Sequence, residues 1–173
     1  MEFAQQVYPS PLGPLTLLSD ADAILGLWFA DQQHFGAGYD LSSVPVREST
    51  PLRAATAWLG QYFAGERPDP RQVPLHPVVT AFRQRVLAVL ETVPYGATIT
   101  YQEIADRLPG ASAAAARAVG GAVGHNPISI IIPCHRVVGR DGSLTGYAGG
   151  INRKIALLTL EGHDPERLAH DRI

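Results

Sequence analysis

Residues 100–124 read TYQEIADRLPGASAAAARAVGGAVG. Thr100 and Glu103 stand at the spacing of a capping box, in which the hydroxyl and the carboxylate each satisfy an orphan amide at a helix start. Tyr101 is then the first helical residue, and the helix ends near Leu108, before Pro109–Gly110. Ser112 is positioned to cap a second helix running from Ala113 to Val123. Helix, short turn, helix is the outline of a helix-turn-helix. The second helix has an odd composition: Ala and Gly fill nearly every position, and Arg117 is its only charge. A core helix carries Leu or Ile, and a solvated one carries Glu and Lys. Two readings fit: a tightly packed interior helix, or a helix that enters a narrow groove with Arg117 as its one long probe.

Upstream, Pro94–Tyr95–Gly96 reads as a turn. Before it, Phe82, Val86, Val89 and Leu90 fall at i, i+4, i+7 and i+8, one face of a helix over about 79–92. Residues 66–77, ERPDPRQVPLHP, hold four of the fourteen prolines. Proline fixes φ and withholds a donor, so this is an extended connector, and it divides the chain into 1–77 and 78–173. The first part reads as strands: Gln6–Tyr8, a turn at Ser10–Gly13, then Leu15–Leu18 and Ile24–Phe29, the pattern of a small antiparallel meander. A helix from Pro51 to Ala64 follows, with Thr50 as its N-cap and Gly65 as its stop. The expected fold class is α/β: a small N-terminal antiparallel sheet with a helix, then a mostly helical domain carrying the helix-turn-helix and the lone cysteine.

The chain has 173 residues, 46 % of them hydrophobic and 17 % charged, an ordinary globular composition. No apolar run approaches the length of a membrane span. The opening residues, MEFAQQVYPS, carry neither the basic nor the apolar run of a signal peptide. Net charge is −2, but its distribution is uneven. Residues 1–78 hold four Arg against eight Asp/Glu, and residues 79–173 hold nine Arg and one Lys against eight Asp/Glu. The basic charge is therefore in the second part and is almost all arginine, the fork-shaped donor suited to phosphates and base edges. Chance accounts for the asymmetry equally well.

Cys134 is the single cysteine, which excludes an intrachain disulfide and makes a reducing cytosol the expected home. It follows Ile130–Ile131–Ile132–Pro133 and precedes His135 and Arg136. Two readings stay open: an inert, small, buried hydrophobe, or a nucleophile whose positive neighbours favour the thiolate. With scattered histidines and one cysteine, no metal site is expected. His34, His76, His163 and His170 are expected at the surface, and His125 beside DNA or solvent.

The blocks RAVGGAVGHNP, IPCHRVV, GYAGGINRK and LLTLEGH occur in that order, and together they resemble the O6-alkylguanine-DNA alkyltransferases, the methylated-DNA–protein-cysteine methyltransferases. The resemblance runs from about Thr80 to His163 and extends more weakly to residue 1. It implies DNA repair by direct reversal, in which an alkyl group passes from O6-alkylguanine (and O4-alkylthymine) in duplex DNA to the protein's own cysteine, once per molecule. By resemblance, Cys134 is the acceptor, His135 deprotonates it through a water, Glu161 orients and charges that histidine, and Asn126 ties the turn beside the site. Tyr101 rotates the target phosphate and gives a proton to guanine N3. Arg117 fills the hole left by the flipped base, while Ala115, Ala116, Ala118, Gly120 and Gly121 form the face in the minor groove. Arg136 is assigned with the DNA-binding residues. Tyr147, Ala148, Gly149 and Val137 wall the guanine pocket. No cofactor is implied, and the partner is double-stranded DNA met by a monomer, with cooperative binding open.

The sequence departs from the family pattern in places. Arg83 and Leu87 replace a glutamine and a tryptophan, the stretch between Tyr101 and Arg117 is slightly long, and Ala148 stands where many relatives carry serine. Two rivals remain. One is a module that recognises alkylated guanine without transfer, in which the acceptor cysteine would be replaced. The other is a cysteine hydrolase, which needs an oxyanion hole and turnover.

Overall fold

The computed structural model describes residues 2–110 and 115–164. The backbone divides into two compact units: 1–78 with 127–131, and 79–126 with 132–173.

In the first unit, β1 (Ala4–Ser10), β2 (Gly13–Ser19) and β3 (Ile24–Phe29) form an antiparallel sheet in the order β1-β2-β3. The register runs Val7↔Thr16 and Leu17↔Leu27. Both sheet edges are covered. Gln5 N–H donates to Pro45 O and Arg47 N–H to Gln5 O along β1. Along β3, Ile24 exchanges hydrogen bonds with Pro74 and His76, and Leu27 does so with Pro127 and Ser129. Covering an edge in this way removes the unpaired amides that template aggregation. The proline-rich stretch is thus more than a connector, because residues 74–76 extend the sheet. Likewise residues 127–131, which the sequence places inside the second part, belong to the first. Within them Ile130 sits at φ 70, a left-handed conformation that costs a β-branched residue energy.

Helix α1 (Thr50–Phe63) begins one residue earlier than the sequence indicates. Its N-cap is Ser49, not Thr50; the Ser49 hydroxyl accepts from Leu52 N–H at 3.1 Å, a contribution of about 1 kcal/mol. Leu52, Ala55, Leu59 and Tyr62 are buried on one stripe. Trp58 stacks on Tyr62 with centroids 5.2 Å apart. In β3 the indole of Trp28 lies over Gly26, where a Cβ would come within 1.9 Å of the ring.

The second unit contains α2 (Ala81–Glu91), β4 (Ile99–Thr100), α3 (Tyr101–Asp106), α4 (Ala115–Gly124), β5 (Val137–Val138) and α5 (Ile151–Leu160). The capping box at the start of α3 is complete: Thr100 Oγ1 accepts from Glu103 N–H and Glu103 Oε1 from Thr100 N–H. Helices α2, α3 and α4 pack together. On α4, Val119, Ala122 and Val123 are buried, whereas Arg117, Ala118 and Gly121 are exposed. The helix is therefore neither wholly interior nor wholly solvated. Ser112, Ala113 and His170 lie outside the described residues, as does the side chain of Ala115. Among the described residues no helix is long and apolar enough to cross a membrane.

Candidate active site

Strands β4 and β5 run parallel, with Ile99 opposite Val137 and Thr100 opposite Val138. Tyr101 directly follows β4. Cys134–Arg136, a single tight helical turn, directly precedes β5. This short pairing brings together parts of the chain more than thirty residues apart. The turn itself is held by Asn126, whose Nδ2 donates to Ile132 O at 2.8 Å.

Cys134, His135, Arg136 and Glu161 are all buried. Glu161 caps the C-terminal end of α5, where the helix dipole disfavours a carboxylate. Three groups compensate. His135 Nε2 lies 2.6 Å from Glu161 Oε2. The Arg136 fork donates to both carboxylate oxygens, at 2.7 and 3.1 Å. Gly96 N–H donates to Oε1 at 3.4 Å. Burial pushes the Glu161 carboxyl up, but the hydrogen bonds from His135 and Arg136 and the Arg136 charge outweigh it and hold the group well below the usual carboxylate range.

An ionised Glu161 accepts the proton on His135 Nε2, which leaves Nδ1 as the basic nitrogen. Nδ1 is buried and has no protein partner among the described residues. Burial pushes the imidazole below its ordinary value, with Glu161 pulling the other way, so the resting ring is neutral.

Three readings of the sequence need correction. Arg136 does not face DNA: it is 8 % exposed, two of its nitrogens hold Glu161, and Nη1 donates to Val93 O at 2.7 Å. Its guanidinium also lies 5.9 Å from the Tyr95 ring centroid. Nor do the neighbours of Cys134 leave it a ready thiolate. Burial pushes the thiol up, opposed by a hydrogen bond from Asn126, the Lys154 charge and a hydrogen bond from Tyr147. Desolvation at a residue only 4 % exposed outweighs those hydrogen bonds and that charge. A thiol in this state needs a base to react. His163, expected to face solvent, is half-buried, and its Nε2 is enclosed.

Tyr101 is half-exposed at the start of α3, with its hydroxyl 2.9 Å from Thr145 Oγ1. Tyr147, Ala148 and Gly149 follow in the loop before α5. Arg117, Ala118 and Gly121 are exposed on α4, in the same unit. Sequence reasoning missed Lys154 and Tyr95. Lys154 is fully buried at an α5 position in step with Leu157, Leu158 and Glu161. A lysine in that i, i+3, i+4, i+7 series was the available signal. Tyr95 donates to Leu160 O at 3.0 Å and fixes the turn against the end of α5. No group of three or more His, Cys, Asp or Glu among the described residues could hold a metal.

A buried thiol, next in the chain to a buried His–Glu–Arg cluster, lies on the unit in which helices α3 and α4 pack together, a combination that points to a DNA-directed protein with a cysteine at its site. Two family models match the chain: the 6-O-methylguanine DNA methyltransferase ribonuclease-like domain over residues 4–77 and the corresponding DNA binding domain over 81–163. A methylated-DNA–protein-cysteine methyltransferase of Mycobacterium tuberculosis is 48 % identical over 154 residues, 88 % of each chain. One from Haemophilus influenzae is 42 % identical, covering 89 % of this chain and 83 % of that one. The crystal structure of Mycobacterium tuberculosis OGT in complex with DNA aligns with a TM-score of 0.77 at 45 % identity, over 91 % of this chain and 92 % of that one. The chain belongs to the methylated-DNA–protein-cysteine methyltransferase family.

Proposed function

We propose that this protein repairs duplex DNA by taking the alkyl group from O6-alkylguanine, and from O4-alkylthymine, onto Cys134 in one irreversible turnover. The observation that carries the reading is the buried His135–Glu161 pair, 2.6 Å between Nε2 and Oε2, next in the chain to the buried Cys134, with Nδ1 enclosed and without a partner among the described residues. One water bridging Nδ1 and the sulfur would satisfy both groups and carry the proton.

The electrons and protons balance as follows. The thiol proton passes to His135 Nδ1, giving thiolate and imidazolium, and the imidazolium is stabilised by Glu161. The sulfur lone pair forms the S–C bond as the C–O6 bond breaks. The bonding pair returns to guanine, which takes a proton at N3 from Tyr101. The phenolate is later reprotonated from solvent, and the imidazolium returns its proton there. The thioether has no leaving group that the site could use, so each chain acts once.

A base stacked in the duplex cannot reach a buried sulfur, so it must be flipped out. Arg117, the long exposed side chain on α4, fills the gap, and Ala116, Ala118, Gly120 and Gly121 let the backbone approach the minor groove. Tyr147, Ala148, Gly149 and Val137 receive the base. A free thiol nucleophile suits a reducing compartment, the cytoplasm, and one chain suffices for one lesion.

The test is intact mass after incubation with a duplex carrying one O6-methylguanine, followed by peptide mapping. The expected result is one methyl group per chain on Cys134. Cys134→Ser should bind the duplex and take up none; transfer by that variant overturns the reading.

A further inference from the structure

Lys154 is fully buried, carries three N–H donors, and can accept no hydrogen bond while protonated. Its Nζ has three acceptors: Val137 O at 2.5 Å, Thr145 O at 3.4 Å and Thr145 Oγ1 at 3.4 Å. Donor and acceptor counts match. A lysine that only filled space would not need to end on two backbone carbonyls and a hydroxyl, and burying its charge is costly. The hydroxyl it reaches is the one 2.9 Å from the Tyr101 phenol.

These contacts bear on the direction of the Thr145–Tyr101 hydrogen bond. Geometry alone leaves either oxygen free to donate. With Lys154 donating to Thr145 Oγ1, one of that oxygen's two lone pairs is used, which favours Thr145 turning its own proton toward the Tyr101 oxygen. Thr145 then donates to Tyr101, and the phenolic O–H is left to donate elsewhere. We propose that Lys154 and Thr145 are positioning residues that set the polarity of a hydrogen-bond chain, so that Tyr101 presents its proton to the departing base. The inference rests on the alkyl-transfer reading above and adds residues to it.

The chemistry gives the chain a second use. When Tyr101 gives up its proton as the C–O6 bond breaks, negative charge grows on the phenolic oxygen. A hydroxyl already donating to that oxygen, itself polarised by an ammonium, stabilises the charge as it forms. Burial pushes Lys154 down to about 8, so near pH 7 it remains largely protonated and able to donate. Strand pairing supports the geometry: β4 leads into Tyr101, β5 contains the Val137 carbonyl that Lys154 holds, and Thr145 lies in the loop between β5 and α5.

The experiment measures single-turnover transfer from a duplex with one O6-methylguanine, together with DNA affinity. Thr145→Val, which keeps the shape but loses the hydroxyl, should slow transfer about tenfold with affinity unchanged. Thr145→Ser should restore the rate. In a Tyr101→Phe background Thr145→Val should cost nothing further, since the chain then has no phenol to orient. Should Thr145→Val fail to fold, Lys154→Met read with and without Tyr101→Phe gives the same comparison. A wild-type rate in Thr145→Val, or losses that multiply in the double variant, overturns the proposal. If the unaltered chain leaves the duplex methylated, the alkyl-transfer reading falls and this proposal falls with it. Transfer by the unaltered chain with multiplying losses overturns the hydrogen-bond chain alone.

Discussion

The two units bury different chemistry. Among the described residues, the buried polar side chains of the first unit are Thr16, Ser19, Gln32 and Ser129, all neutral, set among Leu, Ile, Trp and Phe. Those of the second are Asn126, His135, Arg136, Lys154 and Glu161, four of them ionisable, around a buried thiol. Taking a charge out of water costs several kcal/mol even after relaxation, and a buried pair regains that only when its hydrogen bonds are complete. The first unit holds its shape by apolar burial. The second gives up some of that stability to hold a base, a carboxylate and an ammonium in fixed positions. Substitutions in the two units should therefore fail in different ways.

The largest effect is expected at Glu161. Glu161→Gln removes the charge that supports His135, so transfer should slow about 100-fold with DNA affinity kept. The rise of rate with pH should then follow the thiol, which burial holds above its ordinary value, and move to higher pH. Stopped transfer followed across pH tests this; an unchanged profile would make Glu161 purely structural. Stability carries a matching sign. Glu161 and His135 are both depressed in the folded chain, so the unfolded chain binds their protons first, and stability drops as pH falls through the acid range. Glu161→Gln should flatten the carboxylate part of that slope.

Next is a cavity in the first unit. Leu59→Ala should lower stability by about 2–5 kcal/mol and leave the transfer rate per folded molecule unchanged, as urea melts and single-turnover rates would report. A changed rate per folded molecule would end the division of labour between the units. Arg117→Ala should slow repair of a well-paired duplex about tenfold, the flipping energy being a few kcal/mol and only partly offset by the arginine. It should leave transfer from the free alkylated base nearly unaffected; equal losses would make Arg117 structural. The smallest effect is on binding. The second part carries a net +2, so log K against log salt should slope down gently. A steep slope would mean more phosphate contacts than this charge distribution supplies.

Much of this was legible in local sequence. The capping box at Thr100–Glu103, the meander and the helix over about 79–92 depend on neighbours a few residues apart, and pattern reading found them. The pairing of His135 with Glu161 was reached through family blocks, not through physics alone, since residues 135 and 161 meet only after folding. What escaped was set by distant partners. Arg136 was grouped with the DNA-binding residues; it is buried because Glu161, Val93 and Tyr95, all distant in sequence, converge on it. Residues 127–131 looked like the lead-in to the cysteine and instead extend β3. For Cys134 the sequence left a buried hydrophobe and a favoured thiolate both open, because adjacent charges are visible in sequence while the extent of desolvation is not.

Gly26 has consequences for how this protein would score in a cell. Any side chain there would enter the volume of the Trp28 indole, which must then leave the core. A saturation screen for survival under alkylating agents would therefore mark position 26 as intolerant as position 134. The two would separate when protein abundance is read in parallel. Cys134 variants should accumulate and repair nothing, whereas Gly26 variants should be cleared by quality control, because a few kcal/mol of lost stability changes steady-state levels several-fold. In such a screen, loss of repair would not by itself locate the chemistry.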